Sequence, residues 1–373
     1  MSPQTPQFRG QSPSPSPKRF AATAFALSLA AISLALFPHR AASRSQTPGG
    51  QSPQPTAPVP AVSSYIDVHT HIDPRDPNAG VETAVKSMAT QNAAKLFLLS
   101  EPYPQDDPAR FDADVFLAAA KKYPDKVVVL GGGGTLNGMI LDAARTGDAG
   151  PEVKRKFKER AEQWLRDGAV GFGELSVEHL AQPSSGIQDY EYAPPDTPLL
   201  LLLADIAAEH NVPIDLHMEA VPKNVPLPSD LAAPNPPMLT ANIPGFERLL
   251  AHNRGAKIIW AHAGADFTGN RTPELCRRLL MANSNLYMEV KVDPTTPGRN
   301  PIIVDGKMKP DWLKLFQDFP DRFVIGSDQH YAAKPPASPS RWQATVLLLN
   351  QLPPDLQRKI GTENALHIYS NLR

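Results

Sequence analysis

After residue 64 the chain alternates between short apolar runs and longer segments with helical spacing. The runs are "YIDVH", "KLFLLS", "KVVVLGG", "AVGFGE", "VPIDLHM", "KIIWAH", "NLYMEVKV" and "RFVIGSD". Between them lie segments such as "GVETAVKSMATQN", "PEVKRKFKERAEQWLRDG", "TPLLLLLADIAAEH" and "TPELCRRLLMAN". Several open on Pro or Thr-Pro, which suits the first turn of a helix. Strand alternating with helix implies parallel strands joined by crossover helices. Eight such strands within about 250 residues predict an α/β fold of the (β/α)8 TIM-barrel class. The alternative is a doubly wound open sheet, which needs a phosphate-binding glycine turn after an early strand. "GGGGT" at 131–135 lacks that spacing and reads as a loop at the barrel mouth. The Pro-rich stretch 221–239 is long for a strand-to-helix connection and reads as a lid over the same face.

The first 64 residues have a different character. Residues 1–19 are Pro/Ser/Gln-rich and end in Lys18 and Arg19; residues 20–37, "FAATAFALSLAAISLALF", are uncharged and apolar. Residues 38–64 are a second Pro/Ser/Gln-rich stretch, followed by the catalytic-type domain at 65–373. A basic flank, an apolar segment and small residues at 41–43 read as an export signal. The apolar run is also close to the roughly 18 residues at which a membrane span begins. Cleaved signal and uncleaved anchor both stay open, and either predicts an exported, extracytoplasmic body with a possible membrane tether through 20–37.

Of 373 residues, 41% are hydrophobic, and the formal net charge is −1. Such a chain has no global basic field, so no nucleic-acid partner is expected. The basic stretch "KRKFKER" at 154–160 reads as a solvated helix face. The single cysteine, Cys276, excludes an internal disulfide and a Cys-rich zinc module.

A barrel of this kind does its chemistry at the C-terminal ends of its strands. Strand one ends at His69 and His71, strand four at Glu174, strand five at His217, strand six at His262 and strand eight at Asp328. A lone histidine beside a core is usually just hydrogen-bonded, and an acid after a strand is often a helix cap. Four histidines and two carboxylates at strand ends on one face are harder to explain that way. His69 and His71, two apart on a strand, point the same way. Imidazole and carboxylate without thiolate suit zinc or another borderline divalent ion.

The set "DVHTH", "GFGE", "LHME", "WAHAG" and "IGSD", closing with "IGTENALHIY", resembles the amidohydrolase superfamily of metal-dependent hydrolases. The resemblance implies that His69, His71 and Asp328 bind the more buried metal and that His217 and His262 bind a second. It places Glu174 where many members carry a bridging carboxylated lysine or glutamate. It further implies one or two divalent ions, zinc first, with Mn, Fe or Mg open. A metal-activated water would cleave an amide, ester, lactone or phosphoester of a small-molecule substrate. Asp328 and His262 would be the catalytic residues, Asp328 moving the proton and His262 polarising the substrate oxygen.

Further candidates surround this set. Lys291 ends strand seven and either binds a substrate anion or pairs with Glu289 or Asp293. Glu219 faces the same way as His217 and is a candidate support for it, and Glu219 and His330, which is expected to line the mouth, are candidate substrate contacts. Glu178 and His179 read as a surface loop, and Trp260 is expected to pack beside His262. The rival functions are a one-metal decarboxylase or hydratase of the same superfamily, a non-catalytic metal- or ligand-binding barrel, and a nuclease.

Overall fold

Each of the eight apolar runs forms a strand. They are β1 Tyr65–Ile72, β2 Ala93–Leu98, β3 Val127–Val129 resuming as Gly131–Gly132, β4 Phe172–His179, β5 Pro213–Met218, β6 Lys257–Ala263, β7 Leu286–Val290 and β8 Phe323–Ile325. The computed structural model describes residues 63–103, 114–182, 189–295, 298–334, 341–370 and 372. The expected segments 1–19 and 20–37, and 38–62 of the expected linker, lie outside the described residues. Among the described residues no helix is long and apolar enough to cross a membrane.

All eight strands pair in parallel, each with the next, and β8 returns to β1 through Asp67 and Ile325. Leu130 joins the halves of β3. Its N–H bonds Leu98 next to it on β2, and the Gly131 N–H bonds Gly171, just ahead of β4. The result is an α/β fold with a mostly parallel central sheet whose order closes on itself, consistent with the expected barrel. The 131–135 stretch departs from expectation, because Gly131 and Gly132 are strand rather than loop. The Trp164 side chain occupies the space that a Cβ at Gly131 would need, so glycine lets the helix Pro151–Asp167 pack directly on the strand.

Side chains alternate between two apolar clusters, as a pleated strand requires. Ile66, Val68, Phe97, Leu99, Val128, Leu130, Ile259 and Val324 share a cluster with Ala365, Ile368 and Tyr369 from the C-terminal helical segment. Their neighbours Leu96, Leu98, Val127, Val129, Ile258 and Trp260 join the larger cluster formed with the surrounding helices. Proline at the first turn and the side-chain caps Asp76, Thr197 and Thr272 start three of those helices.

Irregular register interrupts this alternation between Asp67 and Thr70 on β1 and between Trp260 and Ala263 on β6. At the second irregularity His262 takes a positive φ of 65°. The phase change corrects the Trp260 expectation. Trp260 stays in the helix-facing layer, its ring 5.2 Å from that of Phe246 and 3.9 Å from the Arg271 guanidinium, while His262 turns into the site.

The 221–239 stretch is an ordered excursion. Val225–Pro226 and Met238–Leu239 pair as a short antiparallel ribbon. Leu180, Val221 and Leu239 form a small core beneath it with Tyr190, Leu231 and Phe267.

Candidate metal centre

The strand ends bring the six expected ligands together. The Nε2 atoms of His69 and His71 lie 3.0 Å apart. Glu174 Oε2 stands 3.4 Å from the first and 3.2 Å from the second. Asp328 Oδ1 is 3.3 Å from His71 Nε2. The other oxygen of Glu174 serves the other histidines: Oε1 is 2.9 Å from His217 Nδ1 and 3.0 Å from His262 Nε2. One carboxylate therefore divides its two oxygens between two histidine pairs.

These separations fit a bound divalent ion. Donors about 2.0–2.1 Å from a tetrahedral metal stand about 3.3 Å from one another. His69, His71 and Glu174 would hold one ion, with Asp328 beside them; Glu174, His217 and His262 would hold another. Electrostatics point the same way. Burial opposes charge on His71, yet Asp328 and Glu174 outweigh it and raise its pKa to about 9. The Glu174 carboxyl, despite burial, is held well below its ordinary range by His69, His217 and His262. The pocket is built to receive positive charge. Nitrogen and oxygen donors without thiolate suit zinc and manganese alike, so they do not select zinc.

Of the groups behind the ligands, sequence reasoning singled out Glu219 and passed over the rest. Glu289, fully buried on β7, places Oε1 3.0 Å from His69 Nδ1 and 3.1 Å from His262 Nδ1. A Cβ at Gly326 would overlap the Glu289 carboxylate, so the glycine after β8 makes room for it. His71 Nδ1 is 3.1 Å from the Leu99 carbonyl. Buried Arg271 donates to the carbonyls of Trp260 and Ala261, the two residues before His262. In "NLYMEVKV", an acid in the middle of an apolar strand was the available signal for Glu289.

The secondary candidates fall out unevenly. Lys291 pairs with neither Glu289 nor Asp293: its Nζ lies 2.5 Å from Asp328 Oδ2. The Arg341 side chain reaches the same oxygen at 2.9 Å and Asp293 through Nε at 2.9 Å. His330 does reach the mouth, with Nε2 3.4 Å from Asp328 Oδ1 and Nδ1 3.3 Å from Glu101. Glu219 is buried, 3.8 Å from His217 Nε2, and accepts the Phe267 N–H. The surface expectation for Glu178 and His179 fails, because β4 runs on through His179. Glu178 is fully buried and accepts bonds from Tyr190 and Asn242, and the His179 ring stacks edge-on against His217 at 4.5 Å.

Residues 66–370 match the sequence model of a family described as Amidohydrolase. The chain belongs to this family. No curated protein matches the sequence. Among solved structures, 2,6-dihydroxybenzoate decarboxylase complexed with 2,6-dihydroxybenzoate is similar at 14% identity and a TM-score of 0.51, over 83% of this chain and 99% of that one. Two others share less: 5-carboxyvanillate decarboxylase from Novosphingobium aromaticivorans with manganese (12% identity, TM-score 0.47, covering 82% and 96%) and 4-oxalomesaconate hydratase from Rhodopseudomonas palustris (11%, 0.47, covering 83% and 96%). At 14% identity the first of these likenesses speaks to fold alone.

Proposed function

We propose that this amidohydrolase-family chain is a (β/α)8-barrel enzyme that hydrolyses an amide, ester, lactone or phosphoester bond of a small molecule, using two divalent ions held on either side of Glu174. The observation that carries the reading is the division of Glu174: Oε2 faces His69 and His71, and Oε1 faces His217 and His262. A divalent ion bound there would lower the pKa of a water to about 7 and polarise a substrate oxygen. Asp328 faces the mouth with Oδ1 and is the group assigned to take the proton of the attacking water and return it to the leaving group. Glu289 bonds His69 at Nδ1 and the His262 backbone N–H, which supports Nε2 of both rings facing the centre.

Elemental mass spectrometry of wild type, Glu174→Ala and His69→Ala tests this. About two divalent ions per chain, falling to one or none in Glu174→Ala, is the expected outcome. One ion untouched by Glu174→Ala would sink the two-metal reading.

A second reading has one observation in its favour. Lys291 and Arg341 both contact Asp328 Oδ2, and they outweigh burial to hold Asp328 well below the usual carboxylate range. That weakens it as a proton acceptor for water and suits a one-metal decarboxylase or hydratase using His69, His71 and Asp328. The composition of residues 18–43 supports export, cleaved or anchored; the mass of the protein from extracytoplasmic fractions distinguishes the two.

A further inference from the structure

Two cations converge on one oxygen at the mouth of the site. Lys291 Nζ is 2.5 Å from Asp328 Oδ2, and the Arg341 guanidinium reaches it at 2.9 Å. Lys291 is only 7% exposed, so its charge has left water at a cost that a partner must offset. Asp328 alone does not explain the arrangement. Groups behind a metal ligand ordinarily raise its basicity, whereas two cations lower it. Metal binding by Asp328 would be served better without them.

The donor count shows what the pair has left to offer. An ammonium carries three N–H groups, and among the described residues Lys291 directs one at a partner. Arg341 directs Nε at Asp293 and Nη1 at Asp328, leaving Nη2 without a partner among the described residues. Asp293 is itself buried and fixes the plane of the guanidinium. His330 lies on the Oδ1 side of Asp328 and pairs with Glu101, so no other acid competes there for Lys291 among the described residues. An ammonium beside a planar guanidinium presents a point charge and a fork, the combination that recognises carboxylate and phosphate.

We propose that Lys291 and Arg341 form an oxyanion-binding subsite, and that the substrate carries a carboxylate or phosphate group held there, next to the reacting bond. The proposal rests on the metal-centre reading, since it places the anion beside Asp328. A neutral substrate seated there would displace water from the spare N–H groups without meeting them.

Calorimetric titration of the purified full-length chain, after its metal content is measured, tests the subsite. The probes are benzoate, phthalate and inorganic phosphate, with benzamide and phthalamide as neutral counterparts. In metal-containing wild type the anions should bind on the order of tenfold tighter than the amides. Lys291→Met and Arg341→Met should lose that preference, and Lys291→Arg should keep it. Preference for benzoate and phthalate identifies a carboxylate substrate, and preference for phosphate identifies a phosphorylated one. Equal binding of anions and amides by metal-containing wild type, or an undiminished preference in metal-containing Lys291→Met, overturns the subsite and leaves the metal centre standing. Wild type without metal overturns the reading beneath it as well.

Discussion

Glu174 and Glu289 flank the imidazole of His262 from opposite ends, Glu174 Oε1 at 3.0 Å from Nε2 and Glu289 Oε1 at 3.1 Å from Nδ1, where it accepts the His262 backbone N–H. The same Glu289 oxygen is 3.0 Å from His69 Nδ1. A single buried carboxylate behind the centre therefore contacts one histidine of each pair, bonding the His69 ring at Nδ1 and the His262 backbone N–H. Burial works against its charge, and His69 and His262 outweigh that, keeping it ionised well below the usual carboxylate range.

Glu289→Gln keeps the shape and removes the charge. Loss of an outer-shell partner typically costs about 10–100-fold in metal affinity. Because Glu289 serves both pairs, competition with a chelator should show both ions weakened. Loss confined to one ion would separate the two roles.

Asp328→Asn should retain metal, since His69, His71 and Glu174 remain, while turnover falls on the order of a hundredfold or more. Metal content and single-turnover rate, measured on the same sample, check this. Near-normal turnover with metal bound would remove Asp328 as the proton carrier.

Arg271 shapes the backbone that presents His262. It donates to both carbonyls preceding it, and bonds from a charged donor contribute about 1.5–3 kcal/mol each. Arg271→Met should lower the melting temperature and empty the His217–His262 side of the centre first. Manganese bound to the variant would then give the electron paramagnetic spectrum of an isolated ion, where wild type gives a coupled pair. Arg271→Lys, which keeps the charge, should recover part of the loss.

Stability should also depend on pH through Glu191, which is buried but is not one of the six expected ligands. Burial pushes its carboxyl up to about 8, and one of its oxygens is buried without a hydrogen-bond partner. With the folded value above the unfolded one, its contribution is full below the ordinary glutamate value, about 4.3, and is lost as pH rises through about 8. Glu191→Gln should match wild type near pH 4 and exceed it by about 2–4 kcal/mol above pH 8. Denaturant unfolding across that range reads the difference.

All eight strands were legible in the sequence because each is a short apolar run between helical segments. The six expected ligands were legible because polar residues at the ends of such runs stand out. What strand periodicity hid were the places where the period slips. Trp260 and His262 are two apart and should share a face, yet the irregular register near Ala263 sends them to different layers. Glu178 sits within the extended β4, past the point where the apolar run stops. Arg341 opens a helix 13 residues past Asp328, and only the folded chain turns it back onto that carboxylate.

Gly326 and Glu289 occupy one shared volume, and this constrains the order in which the two positions can change. A methyl group added at 326 first would displace the carboxylate that steadies both histidine pairs. Shortening Glu289 first would open a hollow that the methyl could then fill. Any lineage or redesign that replaces this acid must therefore pass through position 289 before position 326, and reversing the steps leads through an intermediate with a disturbed centre.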